Sequence, residues 1–558
     1  MLRKRFISVS ICALAYAIIS FECESLEADD RELRHHISRV TADAKQVREA
    51  AIKAITVTKD VRMAEFFDAY QSGQIYQWQD KLIFCPKIEG NVATLFDVLS
   101  REPVLDGDQR ITVPKSDLKM VSPRRTERRL IVTAIRVLQL YSHDREQRLG
   151  AVRKLGDSRS TEFVKDLNAV TENDADSKVR HTARESVALI RLHDTKQPTA
   201  DRLAAARELG KLCSARAVPL LRDLLKDQDE TGAKQQVKHD TRTVFRQALD
   251  RIESYQQRIR ILSYVFSGLS LGSVLILMAL GLSIIFGQMG VINMAHGELM
   301  MIGAYATFEM QRLFGHSLPD APNNWFFVIA LPTAFFSAAL IGYLIEVLVV
   351  RHLYGRPLET LLATWGIGLI LIQAVRLRYG DNIGVNSPTW LVGSFEVFQD
   401  FHMPFNRCFI MVLCAFCVAL AYWIMNHSRP GLLVRATVQN REMAAALGVN
   451  TRRTDAYTFA FGAGLAGIAG YALTLVGGVT PDMGQNYIVD SFLVVVTGGV
   501  GELAGAVWAG LGLGTLNKFL EPYSGTIWGK VIILCAVIAF IQWRPAGLFP
   551  PKGRSADV

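Results

Sequence analysis

Two patterns of apolar and polar positions divide the 558 residues. From about 26 to 255 charged and polar residues dominate, and the apolar ones recur at helical spacing. After residue 260 apolar positions close up into runs at about 261–286, 291–313, 325–350, 359–377, 408–426, 456–477, 488–516 and 527–543. Each is near the ~20 residues that a helix needs to cross a bilayer. The run 488–516 is too long and too glycine-rich for one straight helix. Its VVVTGGVGELAGAVWAG predicts two half-length pieces joined within the membrane. The pattern therefore predicts an all-α chain: a polytopic helical membrane protein of about eight spans, one broken or re-entrant, behind a mostly helical soluble domain. The expected divisions are a signal peptide at 1–25, an exported domain at 26–255, a transmembrane domain at 256–550 and a tail at 551–558.

One stretch interrupts the apolar pattern. Gly287 to Tyr305 reads GQMGVINMAHGELMMIGAY and sets Gln288, Asn293, His296 and Glu298 between two apolar runs. Polar groups and irregular backbone survive at membrane depth where protein buries them or water reaches them. The stretch is thus the first candidate for a transport path or a gate. Thr364 and Thr497, with Trp365 and Gln373, are weaker candidates.

The N-terminal half opens with Arg3, Lys4 and Arg5, an apolar core from Phe6 to Ser20, and the small residues Cys23 and Ser25, the pattern of a secretory signal. An uncleaved anchor is the alternative. Asp60 to Pro123 is less regular, and Trp78, Ile83, Phe84 and Val92 there suit short strands. Further on, the segments starting at Arg148 and Arg202 align without gaps, pairing Leu149 with Leu203, Ala151 with Ala205, Leu155-Gly156 with Leu209-Gly210, and Leu167 with Leu221. The alignment resembles HEAT-type helical repeats; a plain helical bundle accounts for it equally well.

The formal charge of +9 is scattered, and no nucleic-acid-binding signature accompanies it. Its placement is more informative. Arg351, His352 and Arg356 follow the third run, Arg429, Arg435, Arg441, Arg452 and Arg453 the fifth, and Arg544 the last. The alternate loops carry Asp320, then Asp381, Glu396 and Asp400, then Asp482 and Asp490. Basic loops stay cytoplasmic, which puts the start of the first span outside. Arg376 and Arg378 run against this pattern. The tail returns to the cytoplasm only if 488–516 enters and leaves on one side.

Enzyme motifs are weak. Gly462, Gly464 and Gly467 match GxGxxG, and Gly499-Val-Gly501 resembles its start, but they lie inside apolar runs with no βαβ context. Small residues that let membrane helices approach closely are the better account. The chain has no Walker motif or HExxH, and the GxSxG at Gly268 to Gly272 lies inside an apolar run without the strand-to-helix turn that exposes such a serine, so no cofactor, metal or catalytic set is expected. Of the eight cysteines, Cys414 and Cys417 stand at CxxC spacing, but they share an apolar run with Cys408, where cysteines serve as small buried side chains, and no Cys/His zinc spacing appears; a Cys85–Cys213 disulfide is possible in an exported domain.

Ser428 to Asp455 is a basic amphipathic piece with a helix ending at Gly448, and Ala444 to Leu447 form a small apolar knob among charges. An ordinary connecting helix at the lipid surface is the bland account. Glu442-Met443-Ala444, three residues before Gly448, resembles the EAA loop by which ABC-importer membrane subunits receive an ATPase, without that loop's later apolar-Pro part. On this reading Glu442, Ala444, Gly448, Arg441 and Arg435 belong to the coupling loop.

The segment from Gly290 through Asn293, Ala295, His296 and Gly297 to Gly303-Ala304-Tyr305 resembles the permeases of branched-chain amino acid ABC importers (LivH-type). So do SRPG at Ser428, QNREMAAALG at Gln439, VVTGGVGELAGAVWAG at Val495 and RPAGLF at Arg544. The resemblance covers about 255–550. The long N-terminal extension is similar to that of the urea-importer permease subunit (UrtB-type). The resemblance implies a non-enzymatic transport subunit of the bacterial inner membrane with a periplasmic N-terminal domain. It also implies a second permease, cytoplasmic ATP-binding subunits and a periplasmic binding protein as partners. Asn293, His296 and Glu298 either line the path or hold broken helices together. Urea, short amides and branched-chain amino acids all stay open as substrates.

Overall fold

A computed structural model describes residues 30–42, 44–79, 81–86, 88–89, 92–106, 109–230, 235–317 and 325–549. The expected signal at 1–25 and the tail at 551–558 lie outside the described residues. The chain divides into two units, one up to Gln256 and one from Gln257 onward.

In the first unit, helices α1 (Asp30–Arg39), α2 (Lys45–Val57) and α3 (Arg62–Gln71) present apolar stripes that meet α4 (Arg125–Gln139). Leu33, Ile52, Ile55, Phe66, Phe67, Ile131 and Leu138 form the shared core. One ion pair crosses it: Arg48 Nε donates to Glu127 Oε1 at 2.7 Å, and both side chains are buried. Glu127 also accepts from the Arg124 amide at 3.0 Å, so it caps the start of α4 while neutralising Arg48. Between α3 and α4 the chain forms short strands. Phe96–Asp97, Lys81–Phe84, Ile75–Trp78 and Lys119–Met120 make a four-stranded antiparallel sheet in that order. Trp78, Ile83 and Phe84 lie on it, and Val92 opens a strand of a second, three-stranded sheet.

Helices α5 (Arg145–Asp157), α6 (Val164–Asn173), α7 (Ser177–His193), α8 (Thr199–Lys211) and α9 (Ala217–Glu230) follow. Asp144 and Asp176 cap α5 and α7 through their side chains. Most of the positions that align in the sequence are buried, although Leu203, opposite Leu149, is only partly so. Leu149, Ala151, Leu155 and Leu167 are buried in one cluster, and Ala205, Leu209 and Leu221 in the next. Gly156 of α5 lies against Ser186 of α7, and Gly210 of α8 against Ala248, beyond α9, so each glycine lets the next helix but one close in. Cys85 is a buried free thiol, so the disulfide to Cys213 is not formed.

The second unit is helical. It contains α10 (Gln235–Met289, which begins in the first unit), α11 (His296–Ser317), α12 (Trp325–Leu348), α13 (Pro357–Tyr379), α14 (Phe405–His427), α15 (Arg429–Gln439), α16 (Arg441–Ala446), α17 (Thr451–Leu473), α18 (Met483–Gly498) and α19 (Leu503–Trp543). Among the described residues, six helices are long and apolar enough to cross a membrane: α10, α12, α13, α14, α17 and α19. Helix α11 carries Glu298, Glu309 and Arg312, and α18 has only 16 residues, which is why neither qualifies alone. The apolar windows of α10 and α17 are 83% buried, against 17–28% for the other four. They form the centre, with α11 and α12 packed on them; α13, α14 and α19 keep wide apolar faces outward.

The run 488–516 is broken: α18 ends at Gly498, a turn spans Gly499 to Glu502, and α19 starts at Leu503. The two helices pack back on each other so closely that a Cβ on Gly505 would stand 2.1 Å from the Gly498 carbonyl oxygen. Helix α19 continues through the last apolar run, interrupted by non-helical backbone at Gly525 (φ 73°). The Arg376 exception to the charge pattern also has a physical reason. Its guanidinium pairs with Asp381 at 3.0 Å and Asp482 at 2.9 Å, the acidic residues of its own side.

Candidate functional site

Helix α10 stops at Met289 because Gly290 turns left-handed (φ 65°), and no helix resumes until His296. Residues 290–295 are secured one by one. The Gly290 amide donates to Phe286 O at 3.0 Å, and the Met294 amide to Thr364 Oγ1 at 3.1 Å. The Ala295 amide donates to Asn293 Oδ1 at 3.1 Å. Asn293 and Thr364 therefore meet at one place, where α13 holds the break. Asn293 Nδ2 is left buried without a partner. With Oδ1 engaged as an acceptor, that corner of the break is an amide donor facing inward.

His296 and Glu298 begin α11 but separate. Two residues on an α-helix point about 200° apart. His296, fully buried, turns toward α10, where Nε2 lies 3.1 Å from Met278 O and Cε1 lies near Gly281. A carbonyl can only accept, so Nε2 carries the hydrogen and Nδ1 of the neutral ring is an unpartnered acceptor. Glu298 turns the other way. Its carboxyl sits over bare Gly368 of α13, and Oε2 has no partner. The three residues grouped by the sequence thus serve two faces of α11, with Asn293 in the break before it. Gln288 falls in the last turn of α10, and its side chain lies outside the described residues. Trp365 and Gln373 point outward from α13, away from α11, because the buried stripe of that helix is Thr360, Thr364, Gly368 and Ile372.

The second break lies next to the first. A Cβ on Gly287 would fall 2.3 Å from Gly501 Cα, so the end of α10 touches the tip of the α18–α19 hairpin. Gly499 (φ 107°) and Gly501 (φ 85°) make that tip possible. Residues after α19 clasp it: the Leu548 amide donates to Thr497 O at 2.8 Å and the Phe549 amide to Gly498 O at 3.1 Å. Thr497 Oγ1 is buried there without a partner. The glycines of α17 lie where helices touch. Gly462 meets the backbone of Gly281, Gly464 the ring of Phe335, and Gly467 the backbone of Ala334.

Away from the breaks, α15 and α16 form an exposed elbow. Ser428 caps α15, and Asn440 caps α16 by accepting from the Met443 amide at 2.9 Å. Arg435 donates to Met425 O, which anchors α15 to α14. Ala444 is buried, and Glu442, Met443 and Leu447 are exposed. Of the knob read from the sequence, Ala444 is the buried footing and Ala445, Ala446 and Leu447 are exposed, with Met443 exposed beside them. Gly448 ends the elbow in a left-handed conformation (φ 90°). Sequence reasoning passed over the acids beneath it, Glu346 and Asp455, both fully buried. A lone Glu in the apolar run before Arg351 was the available signal.

Residues 264–541 match the family described as branched-chain amino acid transport system / permease component. The high-affinity branched-chain amino acid transport system permease protein LivH of Salmonella typhimurium is 31% identical over 301 residues, which span 52% of this chain and 96% of that protein. BraD of Pseudomonas aeruginosa, named for the same kind of system, is 31% identical over 299 residues, 51% of this chain and 95% of that protein. The permease protein LivM of S. typhimurium is 25% identical over 302 residues, 49% and 67% respectively. No solved structure matches.

Proposed function

The chain belongs to the family of branched-chain amino acid transport permeases, and from that premise we propose that it forms the translocation path of an ABC importer for a small polar solute. The observations that carry the reading are the match along nearly the whole of LivH and the family match over residues 264–541, which hold both broken helices. Asn293 Nδ2, His296 Nδ1, Glu298 Oε2 and Thr497 Oγ1 are buried polar atoms in need of partners. Such atoms are costly in a packed interior, and polar groups within a membrane protein commonly mark solute pathways. Together they offer donors and acceptors without a fixed cationic partner for a solute anion.

For the solute itself we favour urea or a short amide. The residues up to Gln256 lie outside the matched residues 264–541, and a long extension of this kind resembles urea-importer permeases. Branched-chain amino acids are the second reading, favoured by the names of LivH and BraD. Orientation follows from charge: the loops bearing Arg351 and Arg429 to Arg453 face the cytoplasm, and the N-terminal unit is periplasmic. The exposed Met443–Leu447 edge receives a cytoplasmic ATP-binding subunit. A second permease completes the path, as S. typhimurium has both LivH and LivM in a system of one name, and a periplasmic binding protein delivers the solute. Uptake of radiolabelled urea and radiolabelled leucine by the reconstituted complex, each competed by the other, tests the reading. Uptake of leucine alone would replace urea; uptake of neither would remove the importer.

A further inference from the structure

Below the exposed elbow the structure assembles a buried ionic cluster from four separate segments. Glu346, near the end of α12, accepts from Arg351 Nη2 at 3.1 Å. Asp455, in the first turns of α17, accepts from Nη2 of Arg441, the first residue of α16. The Arg441 guanidinium also lies over the Tyr354 ring, 4.7 Å from its centroid. Both carboxylates are fully buried, while Arg351 and Arg441 reach out to solvent. The Tyr354 hydroxyl stands beside both acids. Four atoms of the cluster, Glu346 Oε1, Arg351 Nε, Tyr354 Oη and Asp455 Oδ1, have no partner within ordinary hydrogen-bond length.

We propose that Asp455 is a positioning residue for transport: its pair with Arg441 is the tie through which movement of the elbow reaches α17 and the broken helices. This rests on the reading that an ATPase seats on the elbow. Pulling Arg441 away would strand a buried carboxylate, so α16 cannot leave without drawing α17 along. Seven residues beyond Asp455, about 10 Å along the helix, Gly462 lies backbone to backbone against Gly281, and Gly281 touches His296. No flexible side chain intervenes at that contact, so displacement of α17 is passed to the start of α11.

The experiment uses the complete importer in proteoliposomes with radiolabelled urea and radiolabelled leucine as probes, and reads solute taken up per ATP hydrolysed. Asp455→Asn keeps the shape and removes the charge. The expected result is an assembled complex that hydrolyses ATP at the parental rate with unchanged KM for solute, while uptake per ATP falls about tenfold. Asp455→Glu recovers most of the ratio. An unchanged ratio, or hydrolysis and uptake falling in parallel, would overturn the proposal. If Asp455→Asn fails to accumulate, Asp455→Ser, smaller and equally uncharged, breaks the same pair from the α17 side and is read by the same ratio, with the same two outcomes against the proposal. Leu447→Glu keeps the two ideas apart: an ATPase that still co-purifies removes docking on the elbow, whereas a lost ATPase with an unchanged Asp455→Asn ratio removes only the tie.

Discussion

Gly303→Ala tests the central packing most directly. Gly303 on α11 faces Gly467 on α17, and a methyl placed there would stand 2.1 Å from the Gly467 carbonyl oxygen and 2.5 Å from its Cα. Comfortable carbon contacts begin at about 3.5 Å, so the helices have to part by roughly 1 Å. Backbone cannot rotate aside as a side chain can, which places the overpacking cost near the upper end of about 1–3 kcal/mol. Alanine returns about 1 kcal/mol of helix propensity, leaving a net loss of about 2 kcal/mol. Gly315, on the same helix, meets nothing within 4 Å, so Gly315→Ala keeps the propensity gain alone. Thermal unfolding in detergent micelles, followed by tryptophan fluorescence, reads the contrast. A loss of about 2 kcal/mol corresponds to about 4–8 °C. Gly303→Ala is expected to melt lower than the parent by that amount and Gly315→Ala no lower. Equal melting of the two variants would refute the backbone-contact argument.

Four further outcomes are expected. Leu447→Glu or Met443→Glu abolishes co-purification of the ATP-binding subunit while membrane insertion, read by fractionation, is kept. Glu442→Lys is expected to do the same, whereas Gly448→Asp adds about 1–3 kcal/mol of backbone strain and is the less clean test. Glu298→Gln keeps size but alters the polar face toward Gly368, and a changed KM for solute at parental ATP hydrolysis is the expected reading. In the first unit, Arg48→Met strands the buried Glu127 and costs about 3–5 kcal/mol, visible as faster limited proteolysis before residue 256. Burial pushes the Asp97 carboxyl up, but hydrogen bonds from Arg34 and from the Ser100 and Leu99 amides more than reverse this and hold it below its ordinary value. A depressed folded value contributes stability above the unfolded value near ~3.9, and loses it as pH falls through the folded one. Arg34→Ala should therefore cost up to about 1 kcal/mol at neutral pH for this partly exposed pair. The difference from the parent should vanish in strong acid, as denaturant titration at both pH values would show.

Where apolar residues form long runs, the helices follow from composition, and Gly290 and Gly499-Val-Gly501 mark the two breaks. The start of α11 at His296 rather than 291 was less legible, because Val291 and Ile292 extend the apolar run while the backbone there leaves the helix. Asn293 with Thr364 shows the same limit: seventy residues separate them, and only the packing of α13 brings them together. His296 and Glu298 were visible as polar intruders, but their opposite directions depend on where α11 starts. Asp455 and Glu346 carry no local signal that sets them apart from other charges near the ends of apolar runs. Their burial depends on how the elbow folds back over α17, which no local pattern encodes.

The clasp on the hairpin tip has a consequence for synthesis. Leu548 and Phe549 leave the ribosome after every helix described, and until they do the carbonyls of Thr497 and Gly498 have no strand to hold them. The tip beside Gly287 is thus a joint that closes only after α19 has been made, and its geometry reports that translation has passed that helix.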